Sequence, residues 1–117
     1  MSRLTTHVLD TAAGLPAAGL RGTLWRCSAG RRERIVDFLT NADGRVDTPL
    51  LDGPAFVCGL YELSFEVSAY FTARGIALPD PPFLDVVSIR FGIADAAAKY
   101  HVPLLLSPWS YATYRGS

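Results

Sequence analysis

Short runs of alternating apolar and polar residues, interrupted by turn residues about every ten positions, dominate this chain. Alternation of period two puts successive side chains on opposite faces of a strand. A strand that is apolar on one face has to cover that face, and many short strands do so by packing as two sheets. The pattern predicts an all-β sandwich.

In "RLTTHVLD", Arg3 to Asp10, one face carries Leu4, Thr6 and Val8 and the other Thr5, His7 and Leu9. "TAAGLPAAGLRG" reads as a loop. Thr23 to Ser28 and Glu33 to Thr40 read as two strands joined through "AGRR". "NADGR" breaks the alternation with Asp43-Gly44, a strong turn dipeptide. Leu50 to Gly53 adds a short strand and Gly59 to Val67 a longer one. Ser68 to Arg74 has helical spacing instead, with Tyr70 and Phe71 set to lie on a sheet and Gly75 where a helix stops. After the rigid linker "LPDPPF", the strand Asp85 to Ala94 carries Val87, Ile89, Phe91 and Ile93 on one face. Tyr100 to Leu106 and Ser110 to Arg115 are the last two strands, joined at Ser107-Pro108. Pro103 has no N–H for a ladder, which places it at an edge, at a bulge or on a side turned from its neighbour. The chain has 117 residues, 50% of them hydrophobic, and neither a repeat nor a low-complexity segment, so residues 1–117 are expected to form one domain.

Charge removes whole classes of partner. Eleven Lys and Arg balance eleven Asp and Glu, which leaves no field of one sign to hold nucleic acid or an anionic membrane. A neutral chain also repels its own copies weakly, which permits self-association. No apolar leader opens the sequence, no apolar run approaches the roughly 18–20 residues of a membrane span, and "RGS" is not a peroxisomal ending. The expected setting is the cytoplasm. Cys27 and Cys58 form no motif and read as two buried small hydrophobes.

Few residues are left to carry chemistry. Alternation places His7 opposite the Leu4, Thr6, Val8 face and His101 opposite the Val102, Leu104, Leu106 face. In the last strand Thr113 points inward and Ala112 and Tyr114 outward. If these strands are neighbours in one sheet, the imidazoles and the phenol form a patch. If they are not, they are isolated surface residues, and spacing alone leaves both readings open. Catalytic zinc usually has three protein ligands, and no third lies near the two histidines in the pattern, so no resident metal or other cofactor is expected, while adventitious zinc on His7 and His101 stays open.

Four blocks together carry more information than any one of them. "TTHVLD" (Thr5 to Asp10), "TNADGR" (Thr40 to Arg45), "GLYELSFEVSAYF" (Gly59 to Phe71) and "YHVPLLLSPWSYATYRGS" (Tyr100 to Ser117) resemble the signature segments of 5-hydroxyisourate hydrolases, the transthyretin-like enzymes of urate breakdown. The terminal Tyr-Arg-Gly-Ser is the most specific part, since the hormone carrier transthyretin lacks it. Trp109 departs from the usual tyrosine, and "PPFLDVV" is a looser version of the family's segment. The resemblance implies a transthyretin-like two-sheet antiparallel β-sandwich of about eight strands with one short α-helix. It implies that the first, penultimate and last strands share a sheet, with the segment after "NADGR" at its edge. His7, Arg45, His101 and Tyr114 would then converge on its outer face, in a channel between the dimers of a homotetramer.

The implied substrate is 5-hydroxyisourate, whose ring opens to 2-oxo-4-hydroxy-4-carboxy-5-ureidoimidazoline. That reaction needs a base near neutrality to activate water, a donor or cation for the oxyanion, and a fixed orientation for a flat ring. His101 is the leading base, His7 its partner, and Arg45 the planar fork of donors. Tyr114, Arg115, Gly116 and Ser117 would bind substrate or wall the pocket. The alternative is a transthyretin-like binding protein without catalysis, because fold alone does not decide function.

Overall fold

Burial follows the alternation of the sequence in most of the longer strands, while the last strand is exposed throughout, Thr113 included, against its expected inward position. A computed structural model describes residues 2–117. Its elements, in chain order, are β1 (Arg3–Asp10), β2 (Leu15–Pro16), β3 (Arg21–Ser28), β4 (Arg31–Leu39), β5 (Leu51–Asp52), β6 (Gly59–Glu66), α1 (Val67–Ala73), β7 (Val86–Ile93), β8 (Lys99–Leu106) and β9 (Tyr111–Thr113). One sheet has the order β2–β1–β8–β9, with β5 also paired to β1, and the other β4–β3–β6–β7. All ladders are antiparallel except that of β1 and β8, which is parallel.

The two inner faces meet in one core. Leu4 and Val8 of β1, Leu24 of β3, Leu63 and Phe65 of β6, and Leu104 and Leu106 of β8 have no exposed surface. Burying a side chain of this kind contributes roughly 1.5–3 kcal/mol. Helix α1 adds Val67, Tyr70 and Phe71 to the core, and the chain leaves it through Gly75 at φ +83°. Asp10, the acid that ends "TTHVLD", is buried beneath it. The Asp10 carboxylate accepts hydrogen bonds from the N–H groups of Ala12 and Ala13, both at 3.0 Å, and from the Tyr70 hydroxyl at 2.9 Å. Burial and this carboxylate push the Tyr70 hydroxyl up to about 12.

Pro103 explains why the last strand is short. β9 pairs with β8 through Leu104↔Thr113, and the same register resumes two residues beyond Pro103 at His101↔Gly116. The Pro103 carbonyl accepts from Thr113 Oγ1 at 2.7 Å, so its missing N–H faces the same neighbour. The ladder therefore stops at Thr113 instead of running to Arg115. Of the two cysteines only Cys27 is buried, and Cys58 is exposed, against the expectation for both. Cys58 lies just before β6, outside the alternating segment.

Candidate active site

β1 has β8 along one edge and only short pieces along the other. β5 pairs at its start, Arg3↔Asp52 and Leu4↔Leu51, and β2 at its end, Leu9↔Pro16 and Asp10↔Leu15. Between them Arg45 makes a single antiparallel pair with His7. The "NADGR" turn delivers it. Asn41 Oδ1 accepts from the N–H of Asp43 at 2.9 Å and of Arg45 at 3.1 Å, and the Gly44 carbonyl accepts from Val8 N–H at 2.8 Å. Gly44 has φ +73°, and a Cβ there would lie 2.3 Å from the Val8 carbonyl oxygen, so no other residue fits.

The parallel register writes a stripe across the outer face: Arg3 beside Lys99, Thr5 beside His101, His7 beside Pro103, Leu9 beside Leu105. Cations thus lie at one end, imidazoles in the middle and leucines at the other end. The His7 and His101 ring centroids are 6.5 Å apart and their planes are tilted by 36°. Thr5 Oγ1 is 2.8 Å from Nδ1 of His101. A pocket of about 300 Å³ opens here, lined by Arg3, Thr5, Arg45, Lys99, His101 and Ser117 among others.

Both imidazoles are held below the ordinary histidine value. For His7 the causes are partial burial and then the Arg45 guanidinium, opposed by Asp43. For His101 they are partial burial, Arg45 and then His7. Each ring is therefore neutral at pH 7 and free to accept a proton. His101 lines the pocket with the Arg45 guanidinium, and His7 stands next to His101, so two proton acceptors lie beside a guanidinium, which is what activating water next to a carbonyl requires.

The terminal segment divides. Gly116 N–H donates to the His101 carbonyl at 2.7 Å, and a Cβ on Gly116 would lie 2.7 Å from Cδ2 of the His101 ring. The reason for a glycine here is this close approach to the imidazole. Ser117 reaches the pocket. Arg115 is turned away from the imidazoles: its guanidinium lies 4.0 Å over the Tyr100 ring and Nη2 donates to the Lys99 carbonyl at 3.4 Å. Tyr114 is 60% exposed and borders an apolar groove of about 230 Å³ with Ile89, Phe91 and Val102, not the basic pocket. Arg3, Thr5 and Lys99 were missed. Their signal was present in the sequence, since Thr5 shares the His7 face and Lys99 lies two residues before His101.

An antiparallel-rich sandwich of two sheets, with imidazoles and a guanidinium on one outer surface, defines a transthyretin-type fold with a polar site. The HIUase/Transthyretin family pattern matches residues 4–116, and the chain belongs to this family. It is 60% identical over 117 residues to a 5-hydroxyisourate hydrolase of Ralstonia nicotianae, covering 100% of both chains. Its fold matches a 5-hydroxyisourate hydrolase of Klebsiella pneumoniae at TM-score 0.83 and 33% identity, covering 100% of both chains. Sea bream transthyretin in complex with thyroxine matches at TM-score 0.86 and 30% identity, over 97% of this chain and 94% of that one.

Proposed function

We propose that this chain is a hydrolase that opens the six-membered ring of 5-hydroxyisourate in urate breakdown. The observation that carries the reading is the pairing of His7 with His101, centroids 6.5 Å apart, beside Arg45 on one face. The identity to the Ralstonia enzyme over the full length supports the same reaction. A carrier needs a cavity but not two neutral imidazoles next to a guanidinium.

In this proposal His101 takes a proton from water, whose oxygen attacks the ring carbonyl. His7 orients the water or shares the proton. Arg45 faces the oxygen on which negative charge develops, where a preorganised cation counts most. Gly116 and Ser117 close the wall of the pocket, and Tyr114 is exposed enough to meet substrate once subunits associate. Arg115 supports the tail through Tyr100 rather than by touching substrate. No resident metal or other cofactor is required by these steps. The assembly proposed is a homotetramer, a dimer of dimers with the imidazole face in the channel between them. Among the described residues no helix is long and apolar enough to cross a membrane, and the proposed setting is the cytoplasm.

The test is stopped-flow absorbance on freshly made 5-hydroxyisourate, which also decays unaided. Acceleration in proportion to protein concentration is expected. Decay at the unaided rate, with substrate bound, would instead make the chain a carrier. Light scattering is expected to give a tetramer, and a fully active monomer would contradict the shared channel.

A further inference from the structure

The His101 ring is held along two of its edges. Thr5, its partner in the β1–β8 register, places Oγ1 at 2.8 Å from Nδ1. Gly116 lies against Cδ2, so close that a Cβ there would be 2.7 Å away. The edge left open is the one that carries Nε2. Thr5 is β-branched and sits within a strand, which restricts its own rotamers and fixes where its oxygen lies. It is also a neutral partner, able to orient an imidazole without the strong pull toward the charged form that a carboxylate exerts.

A hydroxyl can donate or accept, so the surroundings decide which nitrogen bears the hydrogen. The charged side chains that line the pocket with the ring are Arg3 of β1, Arg45 after the turn and Lys99 of β8; Arg45 and His7 of β1 act on the ring, and Ser117, the last residue, is at the wall. Three of these are permanent cations at neutral pH. A lone pair turned toward them is favoured, and an N–H turned toward them is not.

We propose that Thr5 is a positioning residue that accepts a hydrogen bond from Nδ1–H of His101 and so presents the Nε2 lone pair to the site. The proposal rests on the hydrolase reading for its consequence, not for its geometry. The step it serves is balanced on this chain's own atoms. Water gives one proton to Nε2 as its oxygen bonds to the ring carbonyl carbon. The ring C–N bond then breaks, and the proton on Nε2 passes to the departing nitrogen. Throughout, Nδ1–H stays on Thr5, and the imidazolium formed in between is stabilised by that bond.

Two readouts test this. The first is the tautomer of His101, read by nitrogen-15 NMR on the labelled wild-type protein above the histidine titration, without substrate. Hydrogen on Nδ1 is expected, and Thr5→Val is expected to redistribute it toward Nε2. The second is turnover. Thr5→Val, close in shape, is expected to lower kcat by about tenfold or more with KM little changed, a fraction of what removing a general base costs. It should also move the acid limb of the kcat/KM profile to lower pH, because the charged ring loses a hydrogen bond. Thr5→Ser, which keeps the hydroxyl, should restore most of both. Hydrogen on Nε2 in the wild type overturns the proposal, as does a Thr5→Val protein with unchanged tautomer and kcat. Equal losses in Thr5→Val and Thr5→Ser, tracking a fall in Tm, overturn it too, since strand packing would then be the cause. A wild type that fails to turn over 5-hydroxyisourate would sink the hydrolase reading, while the tautomer measurement would still decide the role of Thr5.

Discussion

The two sheets each show a polar outer face, and the two faces are built on opposite principles. On the four-stranded sheet the polar groups satisfy one another. Glu62 meets Arg32 at 2.6 Å and Arg90 at 3.8 Å, and Arg34 meets Asp37 at 2.7 Å. The Trp25 indole donates to Ser64 at 3.0 Å while the Arg32 guanidinium lies 4.0 Å over its ring. On the five-stranded sheet Arg3, Arg45 and Lys99 crowd with His101 around one pocket, and His7 stands next to His101. All ion pairs among the described residues are on the first face. A face whose charges are paired contributes to solubility and a little to stability. A face whose charges are gathered and unpaired holds its imidazoles neutral and keeps its donors for a ligand.

This contrast can be broken most decisively at His101. His101→Ala should fold and assemble yet lose turnover by roughly 10²-fold or more, the range for a removed general base. Near wild-type turnover would take His101 out of its role. Deleting residues 114–117 should likewise cost more activity than Tm, and equal loss of both would make the ending merely structural.

A smaller effect is expected from Gly116→Ala. Its methyl would press on Cδ2 of His101, and displacing a reacting group by about 1 Å can cost up to ~10²-fold. The expected result is a loss in kcat with melting little changed. A fully active variant would mean that the ring has room to move.

The pH dependence sharpens the comparison further. Both histidines have folded-state values below the ordinary 6.5. As pH falls past about 6.5, the unfolded chain takes up protons that the folded chain still refuses. Stability therefore declines with acidity from there until the folded-state values are passed, and above that range the effect vanishes. The acid limb of kcat/KM should also lie below 6.5. An acid limb above it would mean that an acidic group, such as Asp43 beside His7, outweighs burial and the Arg45 guanidinium.

The smallest effect belongs to the opposite face. Glu62→Gln should lower stability by about 1 kcal/mol or less, as expected for surface ion pairs, and leave kcat unchanged. A large loss of turnover would show that the two outer faces are coupled through the core.

Much of the fold was legible from alternation. Arg3 to Asp10 was read with the bounds that the structure has, and the helix within one residue. The short strand β2 was missed because two residues cannot display a period. The end of β3 at Ser28 was read as it stands, but β4 was started at Glu33 because "AGRR" looked like a loop, whereas a tight turn at Ala29 and Gly30 lets the ladder continue to Ser28↔Arg31. The site was legible only as a set of residue types. Thr5 looked like one polar strand residue among several until the register put it against His101.

The sequence alone determined which face of most of the longer strands is buried, because period-two alternation is a local property and apolar surface leaves water wherever it is. It also determined where the chain must turn at Gly44, since that is a limit of a single residue's backbone. Only the tertiary structure decided that β1 and β8, distant in the chain, lie side by side and parallel. Strand order and register depend on how every covered face competes for a partner, and no local pattern records that outcome. The neutral imidazoles follow from it, because a histidine's proton affinity is set by the charges and the burial that the fold brings to it.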